Sequence, residues 1–139
     1  AWEKPNPPPN LACRYFTHST ETILWAAKST KSRHFFNYEK MKTANEGKQM
    51  KSVWRFSPPN NAEKRYGKHP TQKPVLLVER CIESSTQSNA FVFDPFAGSC
   101  TTGVAAIKTN RRFCGVEAEG EFVELSNQRL QEALDRKSQ

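Results

Sequence analysis

The stretch AFVFDPFAGSCTTGV, Ala90–Val104, decides the fold of this chain. Its first part, Ala90–Phe93, is a short apolar run of aromatic and β-branched residues, which is typical of a buried strand. Asp94 and Pro95 end the run, because proline lacks a backbone donor and restricts the residue before it. The small polar residues that follow lead into TTGVAAIK, which predicts a helix over Thr101–Thr109. The stretch therefore predicts a strand, a tight loop and a helix.

A loop between a parallel strand and a helix is a common ligand site, because ligands bind beyond the carboxyl ends of such strands. The loop amides and the helix N-terminus favour anionic or carboxylate groups. A P-loop is excluded, since no lysine follows Gly98 before Lys108. A dinucleotide fingerprint needs three spaced glycines, and only Gly98 and Gly103 are present. The loop therefore binds another class of ligand, or it is a strand–turn–helix that binds none.

The residues Asp94–Thr102 follow the pattern Asp-Pro-Phe-Ala-Gly-Ser-x-Thr-Thr. This pattern resembles the S-adenosylmethionine (SAM) motif of the amino-methylating DNA methyltransferases, which modify adenine N6 or cytosine N4. The family has glycine where this chain has Cys100. A second segment, His69–Pro74 (HPTQKP), resembles the family's other SAM segment. Its distance from Asp94 suits one helix, begun by Lys73-Pro74, then a turn and a strand.

The resemblance implies a SAM site formed by both segments and by an acid at the end of the next strand. That strand is predicted at RRFCGVE, and Glu117 at its end is expected to bind the ribose hydroxyls, with Glu119 and Glu121 as alternatives. Cys100 is expected to adopt a positive φ and to carry a reactive thiolate beside the helix N-terminus. The alternative is that Cys100 has ordinary αR or β geometry, with its sulfur buried and inert. The expected cofactor-binding residues are His69, Thr71, Gln72, Lys73, Asp94, Phe96, Gly98, Ser99, Cys100, Thr101, Thr102 and Glu117.

The charge of the chain is concentrated in one segment. The net charge is +7 over 139 residues, and Lys28–Lys73 alone carries 12 lysines and arginines against three glutamates. Such a block is typical of a surface that binds a polyanion, although an ordinary lysine-rich surface would give the same composition. In this segment the resemblance places part of the region that recognises duplex DNA. The expected DNA-binding residues are Lys40, Lys42, Lys48, Lys51 and Arg55.

The remaining elements are predicted from local patterns. Two strands joined by a turn are predicted at Arg14–His18 and Glu21–Lys28, and further strands at His34–Tyr38 and Ser52–Phe56. The stretch Tyr38–Met50 is open between helix and loop, with an interruption at Asn45-Glu46-Gly47. An amphipathic helix is predicted within Glu119–Gln139, from the spacing of Phe122, Leu125, Leu130 and Leu134.

The first ten residues, AWEKPNPPPN, are too rich in proline for a helix or a central strand and are predicted to be an extended loop. The family's catalytic motif is Asp, Asn or Ser followed by Pro-Pro and an aromatic residue that stacks on the flipped base. Here Asn6-Pro7-Pro8 is followed by Pro9, which offers no such ring. We therefore expect no catalytic residue in this chain and place the motif upstream of Ala1.

Composition limits the class of protein further. No apolar run is long enough to cross a bilayer, and no secretory signal pattern occurs at the N-terminus. The four cysteines are scattered without a C-x-x-C pair, so we expect free thiols of a cytoplasmic protein and no metal site. The predicted regions are a loop and hairpin at 1–28, a basic DNA-recognition segment at 29–62 and a SAM-binding α/β unit at 63–139.

Taken with the resemblance, these observations predict an incomplete Rossmann-like α/β methyltransferase fold that contains the later strands of the sheet. The expected function is SAM-dependent methylation of duplex DNA in a restriction–modification system, at adenine N6 or alternatively at cytosine N4. A second chain or an N-terminal segment would supply the catalytic motif, and apolar sheet surface would be exposed without it. The alternative is a non-catalytic remnant that binds SAM or DNA.

Overall fold

The structure is a computed structural model that describes residues 1–138. Within these residues, five strands and four α-helices follow each other in the chain with one short 3-10 helix at Ala62–Lys64. In chain order they are β1 (Trp2–Glu3), β2 (Thr20–Glu21), α1 (Tyr38–Thr43), β3 (Trp54–Arg55), α2 (Val75–Ser85), β4 (Phe91–Asp94), α3 (Thr101–Lys108), β5 (Arg112–Gly115) and α4 (Gly120–Lys137).

The central unit is β4–α3–β5, in which the two strands pair in parallel from Phe91 opposite Arg112 to Asp94 opposite Gly115. This confirms the strand, loop and helix predicted from Ala90–Val104, and the second strand predicted after them. Parallel strands require a crossover, and here α3 provides it. The carboxyl ends of both strands therefore meet at one edge, where Asp94 begins the loop to α3.

Helices cover one face of this two-stranded sheet. Both α2 and α4 pack against α3. The core contains Val75, Ile82, Ala105 and Ala106, with Val92 and Phe113 packed against it. Two fully buried alanines on α3 allow the neighbouring helix to approach closely. On the other face, the side chains of β4 are exposed.

That exposed face carries Phe91 and Phe93, which are 57% and 56% exposed. Alternate residues of a strand point to opposite faces, so Val92 enters the core while its neighbours do not. The predicted apolar sheet surface is therefore found among the described residues.

The prediction that the N-terminus is an extended loop without a central strand was wrong for Trp2 and Glu3. Residues Trp2 and Glu3 form the central strand of a three-stranded sheet, antiparallel to β2 and parallel to β3. They can do so because the prolines begin only at Pro5, so both backbone N–H groups are available. Trp2 is buried at 3% exposure, and its indole N–H donates to the carbonyl oxygen of Phe56 over 2.8 Å.

The predicted hairpin of Arg14–His18 and Glu21–Lys28 is not formed. Only Thr20–Glu21 is a strand, and it pairs with Trp2–Glu3 instead. Phe16 and Leu24 are 97% and 87% exposed. A segment in which apolar and polar residues alternate forms a strand only where a neighbouring strand pairs with its backbone and other residues cover its apolar face.

The basic segment also differs from the prediction. The strand expected at His34–Tyr38 is absent from the described residues, because Asn37 caps a helix, accepting from the Lys40 backbone N–H at 3.3 Å. The stretch Tyr38–Met50, which the sequence leaves open between helix and loop, forms α1 and then a turn. Glu46 and Gly47 have positive φ in this turn, which agrees with the predicted interruption. The strand expected at Ser52–Phe56 is present at its centre as β3.

Helix α2 begins directly after Pro74, as predicted. Its first N–H group, on Val75, donates to a carboxylate oxygen of Glu63 at 2.9 Å, so the 3-10 helix supplies the cap. The amphipathic C-terminal helix is present as α4. No helix among residues 1–138 is long and apolar enough to cross a bilayer. All four cysteines in the described part of the chain are free.

Candidate cofactor site

The loop after β4 is closed by the carboxylate of Asp94. One oxygen accepts from the backbone N–H of Phe96 at 3.1 Å, and the other accepts from the hydroxyl of Thr102 at 2.7 Å. The same side chain thus joins the start of the loop to the first turn of α3. A loop fixed at both ends holds its backbone groups in one arrangement, which reduces the entropy lost on binding a ligand.

Two residues of the loop have left-handed backbone conformations. Gly98 has φ +53°, which glycine adopts without strain. Cys100 has φ 57° and ψ 35°, which confirms the predicted positive φ at the residue that replaces the family's glycine. The thiol, however, is buried. Its side chain is 2% exposed, and burial raises its pKa to about 11, the reverse of the predicted thiolate.

Glu117 lies just after β5 and contacts the loop directly. One carboxylate oxygen accepts from the Gly98 N–H at 2.7 Å. The other accepts from the N–H groups of Ala118 and Glu119 at 2.9 and 3.0 Å. These backbone hydrogen bonds lower the pKa of Glu117, since they stabilise the charged form. The strand ends thus bring the predicted acid beside the predicted loop.

The segment His69–Pro74 reaches the same loop through His69. Its ring lies against Gly98, and its centroid is 4.3 Å from that of the Phe122 ring. The backbone N–H of Thr71 donates to His69 Nδ1 at 3.2 Å. Residues that are 29 positions apart in the chain, His69 and Gly98, therefore lie in contact.

The rest of this segment faces other parts of the protein. The Gln72 amide nitrogen donates to the carbonyl oxygen of Glu63 at 2.9 Å, and its Oε1 is buried with no partner among the described residues. The ammonium group of Lys73 forms an ion pair with Glu21 at 2.9 Å. Lys73 therefore connects the segment to the N-terminal sheet.

Side-chain directions decide which groups a ligand can reach. The residues Ser99, Cys100 and Thr101 are buried, at 4%, 2% and 6% exposure, so their side chains are enclosed in this conformation. Phe96 is 88% exposed beside them and offers an apolar ring. The ring of Phe96 is therefore the part of these four residues that is open to a ligand in this conformation.

Two residues of α4 support the loop from inside, and sequence reasoning missed both. The Ser126 hydroxyl donates to the Gly98 carbonyl oxygen at 2.8 Å. The Arg129 guanidinium donates to the carbonyl oxygen of Ser99 and, at 3.1 Å, to the hydroxyl of Thr101. A signal for Arg129 was available, since it follows buried Leu125 by four residues and therefore lies on the buried face of the helix.

The five predicted DNA-binding residues lie on the basic segment but are not equivalent. Lys40 pairs with Glu83 at 2.6 Å and Arg55 with Glu3 at 3.7 Å. No ion pair is formed by the other three within residues 1–138, and these are Lys42, Lys48 and Lys51. They are accordingly the cations with charge available for a polyanion.

No group of three or more potential metal ligands from histidine, cysteine, aspartate and glutamate occurs in the part of the chain that the structure describes. The candidate site is composed of the loop backbone, the carboxylates of Asp94 and Glu117, the His69 imidazole and aromatic rings.

The sequence matches a protein family and several characterised relatives. The family model described as DNA methylase, of the N6 and N4 type, matches residues 1–128. The Type II methyltransferase M2.LlaDCHI of Lactococcus lactis subsp. cremoris is 56% identical over 93% of this chain. M2.DpnII of Streptococcus pneumoniae, also a Type II methyltransferase, is 56% identical over 94% of it. These alignments cover 48% and 49% of the two relatives, so the chain spans about half their length.

Solved structures agree with the fold. The crystal structure of the M1.HpyAVI–SAM complex has a TM-score of 0.77 and 38% identity, covering 93% of this chain and 59% of that one. The PvuII cytosine-N4-specific DNA methyltransferase, at 21% identity, has the same TM-score of 0.77 over 98% of this chain and 55% of its own. The Rossmann-like α/β prediction is confirmed by these neighbours and by the parallel β4–α3–β5 unit. The chain therefore belongs to the DNA methylase family of N6 and N4 methyltransferases.

Proposed function

We propose that this chain is the cofactor-binding part of a SAM-dependent DNA methyltransferase of a restriction–modification system that acts on adenine N6. The observation that carries the proposal is the convergence of His69, the Gly98 loop and Glu117 at the carboxyl ends of β4 and β5. Ligands of parallel α/β sheets bind at this position. Residues 63–139 would bind the cofactor, and residues 29–62 would contact DNA in the cytoplasm.

The residues present fit SAM. Gly98 has no Cβ, so the His69 ring can lie directly against the loop, and its φ of +53° would strain any other residue. The Glu117 carboxylate retains lone pairs beyond its three amide contacts and can accept from ribose hydroxyls. The exposed ring of Phe96 offers an apolar contact. When bound, SAM supplies an electrophilic methyl group, and these side chains bind and orient it.

The DNA part of the proposal is supported by charge. Lys42, Lys48 and Lys51 are cations without an internal ion pair among residues 1–138, and cations neutralise phosphates with release of counterions. Trp54 and Phe56 in the same segment stack on Arg80, which lies 5.5 and 4.5 Å from their ring centroids. These two rings are therefore packing residues, which leaves the lysines as the principal contacts of the segment.

Catalysis requires a motif that this chain lacks. Pro9 follows Asn6-Pro7-Pro8 where the family has an aromatic residue, and Pro58-Pro59 is followed by Asn60. We infer that a segment outside residues 1–139, in the same protein or in a partner chain, supplies it. The span of about half the relatives' length supports this inference.

A methyl-transfer assay tests the proposal. Residues 1–139, alone and together with the natural upstream segment, are incubated with duplex DNA and SAM labelled in the methyl group, and modified nucleosides are identified by mass spectrometry. We expect SAM binding without turnover by the chain alone, and N6-methyladenine when the upstream segment is present. Turnover by the chain alone would contradict the assignment of the motif. N4-methylcytosine would contradict the choice of base, and absence of SAM binding by both preparations would contradict the proposal as a whole.

A further inference from the structure

Arg129 is a buried cation beneath the loop 95–100 between β4 and α3, which we call the cofactor loop. It is 6% exposed, and its guanidinium binds the Ser99 carbonyl oxygen and the Thr101 hydroxyl. Buried charges in proteins are normally paired with an opposite charge, because desolvation is costly. Here the contacts are to neutral oxygens of the loop itself. The loop therefore covers a positive charge.

The nearest carboxylates are already bound to other groups. Glu63 accepts from the Val75 N–H at the start of α2. Glu132 forms ion pairs with Arg65 and Arg136. Both carboxylates act on Arg129 only through space, while burial lowers the pKa of its guanidinium. No carboxylate within residues 1–138 forms an ion pair with Arg129.

The contacts from α4 also set the direction of the loop backbone. Ser126 binds the Gly98 carbonyl oxygen and Arg129 binds that of Ser99, so both oxygens point toward the interior. In a trans peptide the N–H points opposite to the carbonyl group, so the Ser99 N–H is directed away from α4. It donates no hydrogen bond within residues 1–138. This N–H is therefore a donor without an internal partner, in a residue that is 4% exposed.

We propose that Arg129 is a positioning residue for the cofactor loop. It holds the Ser99 carbonyl and the first turn of α3 in the form that binds ligand, and its unneutralised charge beneath the loop favours a carboxylate on the outer side. This inference rests on the proposed function, because SAM carries a carboxylate on its methionine part. It adds a residue of α4, outside both sequence segments, to the determinants of cofactor binding.

Two ligands separate this role from general support of the fold. S-adenosylhomocysteine carries the carboxylate, whereas its decarboxylated analogue S-adenosyl-3-thiopropylamine keeps the amine and lacks the acid. Calorimetry with the full chain would measure both affinities in the native protein, Arg129→Met, Arg129→Lys and Arg136→Met. Arg136 is the matched control, since it is two turns further along the same helix and pairs with Glu132 at the surface. Circular dichroism would establish that each variant is folded.

We expect Arg129→Met to lower the affinity for S-adenosylhomocysteine at least tenfold and the affinity for the decarboxylated analogue by less than threefold. Arg129→Lys should lose less affinity for S-adenosylhomocysteine and keep the preference for the carboxylate. Arg136→Met should match the native protein in both affinities. Equal losses for both ligands, or unchanged binding of S-adenosylhomocysteine, would overturn the inference.

If Arg129→Met does not fold, Arg129→Gln, which removes the charge and keeps hydrogen-bond donors, replaces it in the same comparison. A larger loss of affinity for S-adenosylhomocysteine than for the decarboxylated analogue then supports the positioning role, and an equal loss for both ligands rejects it. Absence of binding by the native protein would reject the proposed function and this inference with it. If the native protein binds S-adenosylhomocysteine and the Arg129 variants bind it with the same affinity, only the inference about Arg129 is rejected.

Discussion

The imidazole of His69 lies against the backbone of Gly98, so that a Cβ atom added at Gly98 would be 3.0 Å from Nε2 of His69. This contact joins the two segments that resemble the SAM motifs. It also places the left-handed turn of the loop under a polar ring, with Glu117 on the Gly98 N–H. A change at any of these three residues should therefore alter the same site.

Substitution of Gly98 by valine should abolish cofactor binding. The positive φ would cost a β-branched residue about 1 kcal/mol or more, and the new side chain would displace His69. Titration calorimetry should show SAM affinity lower by at least tenfold. Gly120→Val is the control, because a Cβ at Gly120 meets nothing within 4 Å. Similar affinities of the two variants would show that the Gly98 turn is outside the cofactor site.

Replacement of Glu117 by glutamine should weaken SAM binding, because an amide nitrogen cannot accept from the N–H groups that the carboxylate now binds. The comparison is with Glu124→Gln, an exposed acid of α4 that is not a candidate for cofactor binding. Affinities of the two variants measured by calorimetry at pH 7 should differ clearly. If they coincide, Glu117 does not bind the cofactor or shape its site.

The same carboxylate predicts a dependence on pH. The pKa of Glu117 is lowered in the folded protein, because backbone N–H groups stabilise its charged form. The stabilisation from these hydrogen bonds is complete above the ordinary pKa of 4.5, and it is lost as the pH falls through the lower folded pKa. SAM affinity should therefore be constant from pH 7 to about pH 5 and should decrease only in more acidic solution. A decrease centred between pH 5 and pH 6 in the native protein, absent from Glu117→Gln, would contradict the lowered pKa.

Cys100 should resist alkylation. Because burial raises its pKa to about 11, it is a neutral thiol at pH 8, whereas Cys13 and Cys114 are exposed. Mass spectrometry after treatment with iodoacetamide should find the two exposed cysteines modified first, and Cys100 only after denaturant is added. Rapid modification of Cys100 in the native chain would mean that the loop opens often.

The raised pKa of Cys100 also affects stability. Its contribution to the free energy of unfolding is present below the unfolded value of 9.0 and is lost as the pH rises through the folded value of about 11. Urea unfolding at pH 8 and pH 10.5 should therefore show a larger decrease for the native chain than for Cys100→Ser. Equal decreases would indicate that the thiol is not buried in solution.

The basic segment should bind duplex DNA with a strong dependence on salt. Replacing Lys42, Lys48 and Lys51 by glutamine should reduce the slope of log affinity against log salt by about 2.7, or about 0.9 for each phosphate that is no longer neutralised. Lys40→Gln alone should have a smaller effect, since Lys40 pairs with Glu83. Fluorescence anisotropy at several salt concentrations gives both slopes. A triple variant with the native slope would identify the segment as ordinary surface.

Sequence by itself determined the central unit and the two segments that resemble the SAM motifs. Phe91–Asp94, Thr101–Lys108 and Val75–Ser85 follow from local patterns, because apolar periodicity, Pro74 and the Asp94-Pro95 pair set their limits within the segment itself. The order of the two motifs also predicted that His69 and Gly98 share a site. These properties depend on residues that are close in the chain, or on a pattern that the family repeats.

Only the tertiary structure decided which strands have partners and which polar side chains lie beneath the loop. Trp2–Glu3 is a strand because Trp54–Arg55 and Thr20–Glu21 lie beside it, and Arg14–His18 has no such neighbour among residues 1–138. Arg129 is 30 residues from Ser99 and is positioned by the packing of α4 on α3. Strand pairing and the burial of a charge are set by contacts between distant residues, so no local pattern in the sequence contains them.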